Sequence, residues 1–184
     1  MGKKTIGILL GSLRRDSFCK KIALHLSGLL AEQFEVKFLD PGNLTLYNQD
    51  LDTKDATPQA WLDFRKEVRA LDGVLFVTPE YNRSMPPVLK NALDIASRPY
   101  TSNSWSGKPA AVVSVSPGKQ GGFGANQHLR QSAACLNILM MAQPEAYIGN
   151  VVTLTDANGV SDEGTKKFLQ TFATAFAAWV NRLT

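Results

Sequence analysis

The chain has 184 residues, 44% of them hydrophobic and 20% charged, a balance that fits one globular domain over residues 1–184 and excludes disorder or a fibrous repeat. No apolar run approaches the roughly 20 residues that cross a bilayer, and the N-terminus lacks the apolar stretch and cleavage site of a secretory leader, so membrane insertion is not expected. The net charge of +4 comes from 20 basic residues scattered along the chain rather than gathered in a stripe; this argues against nucleic acid and for a mild attraction of small anions.

Taken in chain order, Thr5 to Leu10 reads as a short buried strand, and Phe18, Ile22, Leu26 and Leu30 then recur every four positions, as on one face of a helix. Between them lies Gly11-Ser12-Leu13-Arg14-Arg15-Asp16-Ser17, with Ser17 as the N-cap. The free N–H groups and dipole of such a helix start converge on an anion. Ser12 and Ser17 add hydroxyls, and Arg14 or Arg15 adds a guanidinium that can grip two phosphate oxygens.

Neither common nucleotide motif fits this loop. A P-loop needs a second glycine followed by Lys and Ser/Thr, whereas residues 16 to 20 read Asp-Ser-Phe-Cys-Lys. The dinucleotide fingerprint also fails, and Gly121-Gly122-Phe123-Gly124 does not complete it. A terminal phosphate monoester suits the hydroxyl-rich loop better than a pyrophosphate. On the loop alone, an ordinary strand-to-helix turn with surface arginines remains the alternative.

Further strands are expected at Glu35 to Leu39, Gly73 to Thr78, Pro109 to Ser116 and about Met140 to Ala146. Helical patterns cover about Gln59 to Ala70, Val88 to Ser97, Asn126 to Leu136 and Glu163 to Leu183, the last with Phe168, Phe172, Phe176 and Trp179 as a core stripe. This alternation predicts an α/β, three-layer fold: a five-stranded parallel sheet of flavodoxin-like order 2-1-3-4-5 with helices on both faces. Pro41 to Pro58 is the longest irregular piece and reads as a functional or packing loop.

In such sheets ligands bind beyond the carboxyl ends of the strands. Two more unusual loops fall there: Thr78 to Pro87, polar and proline-rich, and Ser116 to Gly124, whose glycines allow close backbone approach to a flat ligand. Cys19 and Cys135 form no C-x-x-C pair, so reduced thiols and a cytoplasmic location are expected, with no disulfide framework or metal site. His25 and His128 fall within predicted helices and read as structural. Lys90 and Asp94 have the spacing of a helical ion pair, and Arg98 that of a helix C-terminal cation.

With these motifs in place, the chain resembles the NAD(P)H-dependent FMN reductase family, in particular its bacterial quinone and chromate reductase branch. The resemblance rests on Leu10-Gly11-Ser12-Leu13-Arg14 with Ser17, on Thr78-Pro79-Glu80-Tyr81-Asn82, on Leu89-Lys90-Asn91-Ala92-Leu93-Asp94 with Ser97-Arg98, and on Gly121-Gly122 followed by His128-Leu129-Arg130. It implies that Gly11, Ser12, Arg14, Ser17, Phe18 and Cys19 hold the FMN phosphate. Pro79, Glu80, Tyr81 and Asn82 would cradle the isoalloxazine, and Ser116, Pro117 and Gly118 would approach it from the neighbouring loop. NAD(P)H is the implied co-substrate, and quinones, with chromate, azo or nitro compounds beside them, the implied acceptors; Arg83 and Arg98 are candidate substrate residues. Because the cofactor performs the chemistry, no catalytic side chain is expected. The family usually has Asn where this chain has Cys19, and Arg83 and Pro87 depart from close relatives. The resemblance further implies a homodimer or homotetramer. An electron carrier or flavin-binding regulator that does not oxidise NAD(P)H is the competing reading.

Overall fold

The computed structural model describes residues 2–184. Its strands and helices alternate as β1 (Thr5–Leu10), α1 (Phe18–Leu30), β2 (Glu35–Leu39), α2 (Gln59–Arg69), β3 (Gly73–Thr78), α3 (Pro87–Ala96), β4 (Pro109–Val115) and α4 (Phe123–Cys135). Two short strands follow, β5 (Leu139–Met140) and β6 (Ala146–Ile148), then α5 (Val151–Leu154), the hairpin β7 (Thr155–Asp156) and β8 (Gly159–Val160), and α6 (Glu163–Leu183). The main sheet is parallel, in the order β2-β1-β3-β4-β5, with β6 also pairing β4.

The two-residue period of the strands divides the core. Ile6, Ile8, Leu75, Val77, Ala111 and Val113 face Ile22 and Leu26 of α1 and Phe172 and Phe176 of α6. Leu9, Val74, Phe76, Ala110 and Val112 face Trp61, Phe64, Leu89, Leu93, Trp105 and Leu129, carried by α2, α3, α4 and the segment before β4. Strands β3 and β4 are buried throughout, as central strands covered on both faces must be.

The expected fifth strand over Met140 to Ala146 is instead broken in two. Between the pairs Ala110↔Met140 and Val113↔Ala146, three steps along β4 face six along its partner, so the middle of that segment loops out. Pro144 cannot donate to a ladder. The polar groups released there are held from α4: Arg130 donates to Met141 O at 2.9 Å, and Asn126 Nδ2 to Ala146 O at 3.2 Å. Helix α4 also begins a turn earlier than Asn126, at Phe123. The hairpin β7–β8 was not expected; it turns at Ala157-Asn158, with Asp156 paired to Gly159.

The Pro41 to Pro58 loop is a packing strap over α2 and α3. Asn91, buried on α3, accepts from Tyr47 N–H at 2.8 Å and donates to Thr45 O at 3.0 Å. Trp61 Nε1 donates to Thr45 Oγ1 at 3.1 Å, and its ring stacks on Tyr47 with centroids 5.3 Å apart. Asp52 accepts two hydrogen bonds from Arg65, at 2.9 and 2.8 Å, while Arg65 Nε donates to Ile95 O at 2.9 Å.

Candidate functional site

The strand alternation carries the loops after β1, β3 and β4 to the same edge of the sheet. At the first, Gly11 N–H donates to Val77 O at 2.8 Å, so the chain leaves β1 still bonded to β3. A Cβ at Gly11 would lie 2.9 Å from both Leu89 Cδ1 and Pro79 Cδ; only glycine allows the first two loops to pack this closely. Ser17 has extended backbone angles and caps α1, its Oγ accepting from Lys20 N–H at 3.3 Å. Among the described residues, none accepts a hydrogen bond from the backbone N–H groups of Ser12 to Phe18. These donors lie together with the start of a 13-residue helix and the buried residues Ser12 and Ser17, a combination whose dipole and hydrogen-bond donors favour negative charge.

A cleft of about 80 Å³ collects Ser12, Arg14, Ser17, Phe18, Cys19, Pro79, Tyr81, Val115 and Pro117. All three loops thus meet at one point. A groove of about 380 Å³ shares Arg14 and Tyr81 with it and continues over Gly11, Leu13, Pro86, Pro87 and Val88. The small cleft suits a compact anionic end; the larger groove is of the size that takes a flat organic group. Val115 and Val88 were missed from sequence because they read as strand end and helix start, whereas Pro86 and Pro87 close the expected Thr78 to Pro87 loop. Arg14 is exposed at the mouth of both spaces.

The second loop turns tightly. Tyr81 and Ser84 exchange two backbone hydrogen bonds of 2.9 Å, and Asn82 and Arg83 between them have φ of 49° and 65°, the geometry of a two-residue hairpin turn. Tyr81 stays 47% exposed, available to a ligand rather than packed away. Glu80 turns its side chain from the cleft toward α4, where Oε2 accepts from Ala125 N–H at 3.1 Å. In the third loop Ser116 Oγ accepts from Gly118 N–H at 3.0 Å. Gly121 and Gly122 follow with φ of 59° and 76°; a Cβ on Gly121 would sit 2.5 Å from the Tyr147 backbone.

Arg98 is not brought to this edge. It follows the far end of α3, about 15 Å along that helix from its start, and stacks its guanidinium 3.5 Å from the Tyr100 ring centroid and 5.9 Å from that of Tyr47. Lys90 and Asp94 make the expected helical pair at 2.7 Å, half exposed and of small energetic weight. His128 Nδ1 lies 3.0 Å from Ser84 Oγ, which ties α4 to the second loop. Among the described residues there is no group of three or more His, Cys, Asp or Glu side chains able to hold a metal, and no helix is long and apolar enough to cross a membrane.

Cys19 sits at the first turn of α1, where the dipole and Arg14 favour a thiolate, yet it is buried and burial dominates: its pKa is pushed up from 9.0 to about 12. The thiol is therefore a packed, protonated group. In the native protein iodoacetamide at pH 8 should label exposed Cys135 and spare Cys19, as peptide mapping can read. Because the folded state holds this proton more tightly than the unfolded chain, the contribution of this thiol to stability is full below pH 9 and is lost as pH rises from 9 toward 12, which thermal melts of wild type and Cys19→Ser across that range check.

The fold is that of a flavodoxin-like α/β protein, with free backbone donors and two serine hydroxyls gathered at the helix start after its first strand. The chain belongs to the NADPH-dependent FMN reductase family, whose model matches residues 5–153. It is 50% identical over 176 residues to a quinone reductase of Pseudomonas putida, covering 96% of this chain and 94% of that one. It is also 48% identical over 176 residues to a 2-hydroxy-1,4-benzoquinone reductase of a Burkholderia species, covering 95% of each chain. Among solved structures, a flavoenzyme NAD(P)H:(acceptor) oxidoreductase of Paracoccus denitrificans superposes with a TM-score of 0.91 at 41% identity, over 98% of both chains.

Proposed function

We propose that this chain is an FMN-dependent NAD(P)H:quinone oxidoreductase and that the three loops at the carboxyl edge of its sheet hold the FMN. The observation that carries the reading is the run of backbone donors from Ser12 to Phe18 that meet no protein acceptor among the described residues, beside a cleft that gathers Ser12, Arg14, Ser17, Pro79, Tyr81 and Pro117. Half of the residues of this chain are shared with a quinone reductase over nearly its whole length.

The residues present fit the cofactor. Gly11, Ser12, Arg14, Ser17, Phe18 and Cys19 would bind the phosphate, through hydroxyls, the guanidinium and backbone N–H groups; Cys19, where the family usually has Asn, contributes no side-chain amide. Pro79 to Asn82 and Ser116 to Gly118 would flank the ring system, with Glu80 acting there through its backbone. When bound, FMN supplies the redox chemistry, accepting hydride from the nicotinamide and passing electrons to the acceptor. The protein binds, orients and leaves one ring face open; Tyr81 and Leu13, exposed along the groove, offer an apolar surface on which nicotinamide or a quinone can stack. Among the described residues of these two loops, the backbone N–H groups of Glu80 and Asn82 meet no protein acceptor and are suited to stabilising negative charge on the reduced cofactor, whereas those of Tyr81, Ser116 and Gly118 are engaged within the protein. Arg83, engaged with Glu80 and Gln120, stands near the acceptor side as an exposed cation.

The reading carries with it small-molecule acceptors, a cytoplasmic location and a homodimer or homotetramer, on family grounds. An electron carrier is disfavoured, since flavodoxins are typically acidic and this chain has a net charge of +4. Initial rates with NADPH and 1,4-benzoquinone as varied substrates test the proposal: parallel double-reciprocal lines are expected for one site used in turn by donor and acceptor. Absence of quinone-dependent NADPH oxidation by the FMN-loaded protein would overturn it.

A further inference from the structure

Helix α4 lacks a cap of its own. Its N-cap is Gly122, in a left-handed conformation and without a side-chain hydrogen bond, although the helix runs for 13 residues. The missing acceptor comes from the second loop, where Glu80 Oε2 receives Ala125 N–H. Gly124 makes the approach possible: a Cβ there would lie 2.9 Å from Glu80 Oε2 and 2.7 Å from Arg83 O. Two further ties run in parallel. Arg83 Nη1 donates to Gln120 Oε1 and stands 3.6 Å from Glu80 Oε1, and Ser84 Oγ meets His128. The Glu80 side chain is only 15% exposed, so its charge faces the helix dipole with little screening.

Resting on the function proposed above, we infer that Glu80 and Arg83 are positioning residues: they latch the Pro79–Ser84 hairpin to the start of α4 and so fix the spacing of the two loops that flank the flavin ring. The Glu80 carboxylate forms the centre of the latch and Arg83 closes it across Gln120. The ring's binding and its electronic surroundings then depend on a side chain that faces away from the cleft.

The experiment compares wild type, Glu80→Ala, Glu80→Gln and Gln120→Ala. FMN affinity is read by quenching of flavin fluorescence on apo-protein, the Ala125 amide by hydrogen exchange, and the visible flavin band by absorption. Glu80→Ala should weaken FMN about tenfold, shift the flavin band and speed exchange at Ala125. Glu80→Gln keeps an acceptor oxygen and should restore affinity to within about threefold; Gln120→Ala should weaken FMN about two- to threefold with Ala125 still protected. If Glu80→Ala speeds exchange at Ala125 but binds FMN as wild type does with an unshifted band, the cap is local and the latch is overturned. A wild-type apo-protein that fails to take up FMN would overturn the functional reading itself, a result separable from the first.

Discussion

Replacing Arg14 with Ala is expected to weaken FMN binding about ten- to hundredfold, the equivalent of roughly 1.5 to 3 kcal/mol for one charge-assisted hydrogen bond. The guanidinium is exposed at the mouth of the cleft and of the adjoining groove, with no ion-pair partner among the described residues, so its removal disturbs no fold contact. The loss should therefore appear in cofactor affinity without a matching fall in the melting temperature of the apo-protein. Arg14→Lys should recover only part, because an ammonium cannot present the two-pronged face. Titration of apo-protein with FMN measures the effect; an affinity unchanged within error would remove the phosphate cup from the account.

The largest effect on stability is expected at Asp52. Among the described residues its carboxylate is the only charged partner of Arg65, whose side chain is 4% exposed and whose position between α2 and α3 is fixed by the bond to Ile95 O. Asp52→Ala leaves a buried cation uncompensated, at a cost of about 3 to 5 kcal/mol. For a chain of this size that lowers the melting temperature by about 10 °C. The strap over α2 and α3 loosens with it, since Tyr47 also donates to Asp52 Oδ2, at 3.3 Å. FMN affinity should change far less than stability. Calorimetry of apo and FMN-loaded protein separates the two, and a shift below about 2 °C would mean that water replaces the carboxylate at Arg65.

Much of this was legible in the residues. Strands β1 to β4 follow from short apolar runs, α1 from the four-residue recurrence of Phe18, Ile22, Leu26 and Leu30, and α2 and α3 from helical patterns between the strands. Ser17 announced its cap by standing just before such a recurrence. What escaped sequence depends on partners far along the chain. Helix α4 starts before Asn126 because its acceptor, Glu80, is 45 residues away. The split between β5 and β6 depends on Arg130 and Asn126, which satisfy the groups that a continuous ladder would have used. Asn91 stood out as part of a family motif, yet its side chain secures the strap at Tyr47 and Thr45 rather than lining the cleft. Arg98, a candidate substrate residue by resemblance and a helix C-terminal cation by spacing, stands at the far end of α3 from the cleft, a distance set by the length of that helix.

Under the proposed function this chain binds FMN at the three loops and reduces it with nicotinamide. The most direct test is the visible absorption spectrum of the FMN-loaded protein under anaerobic conditions, before and after NADPH, with NADH in parallel. Flavin bands that bleach on adding either donor, and return on adding a quinone, are the predicted result and rank the donors. Bands that persist in the presence of both would contradict the reductase, and an absence of bands after FMN reconstitution would contradict the flavin site.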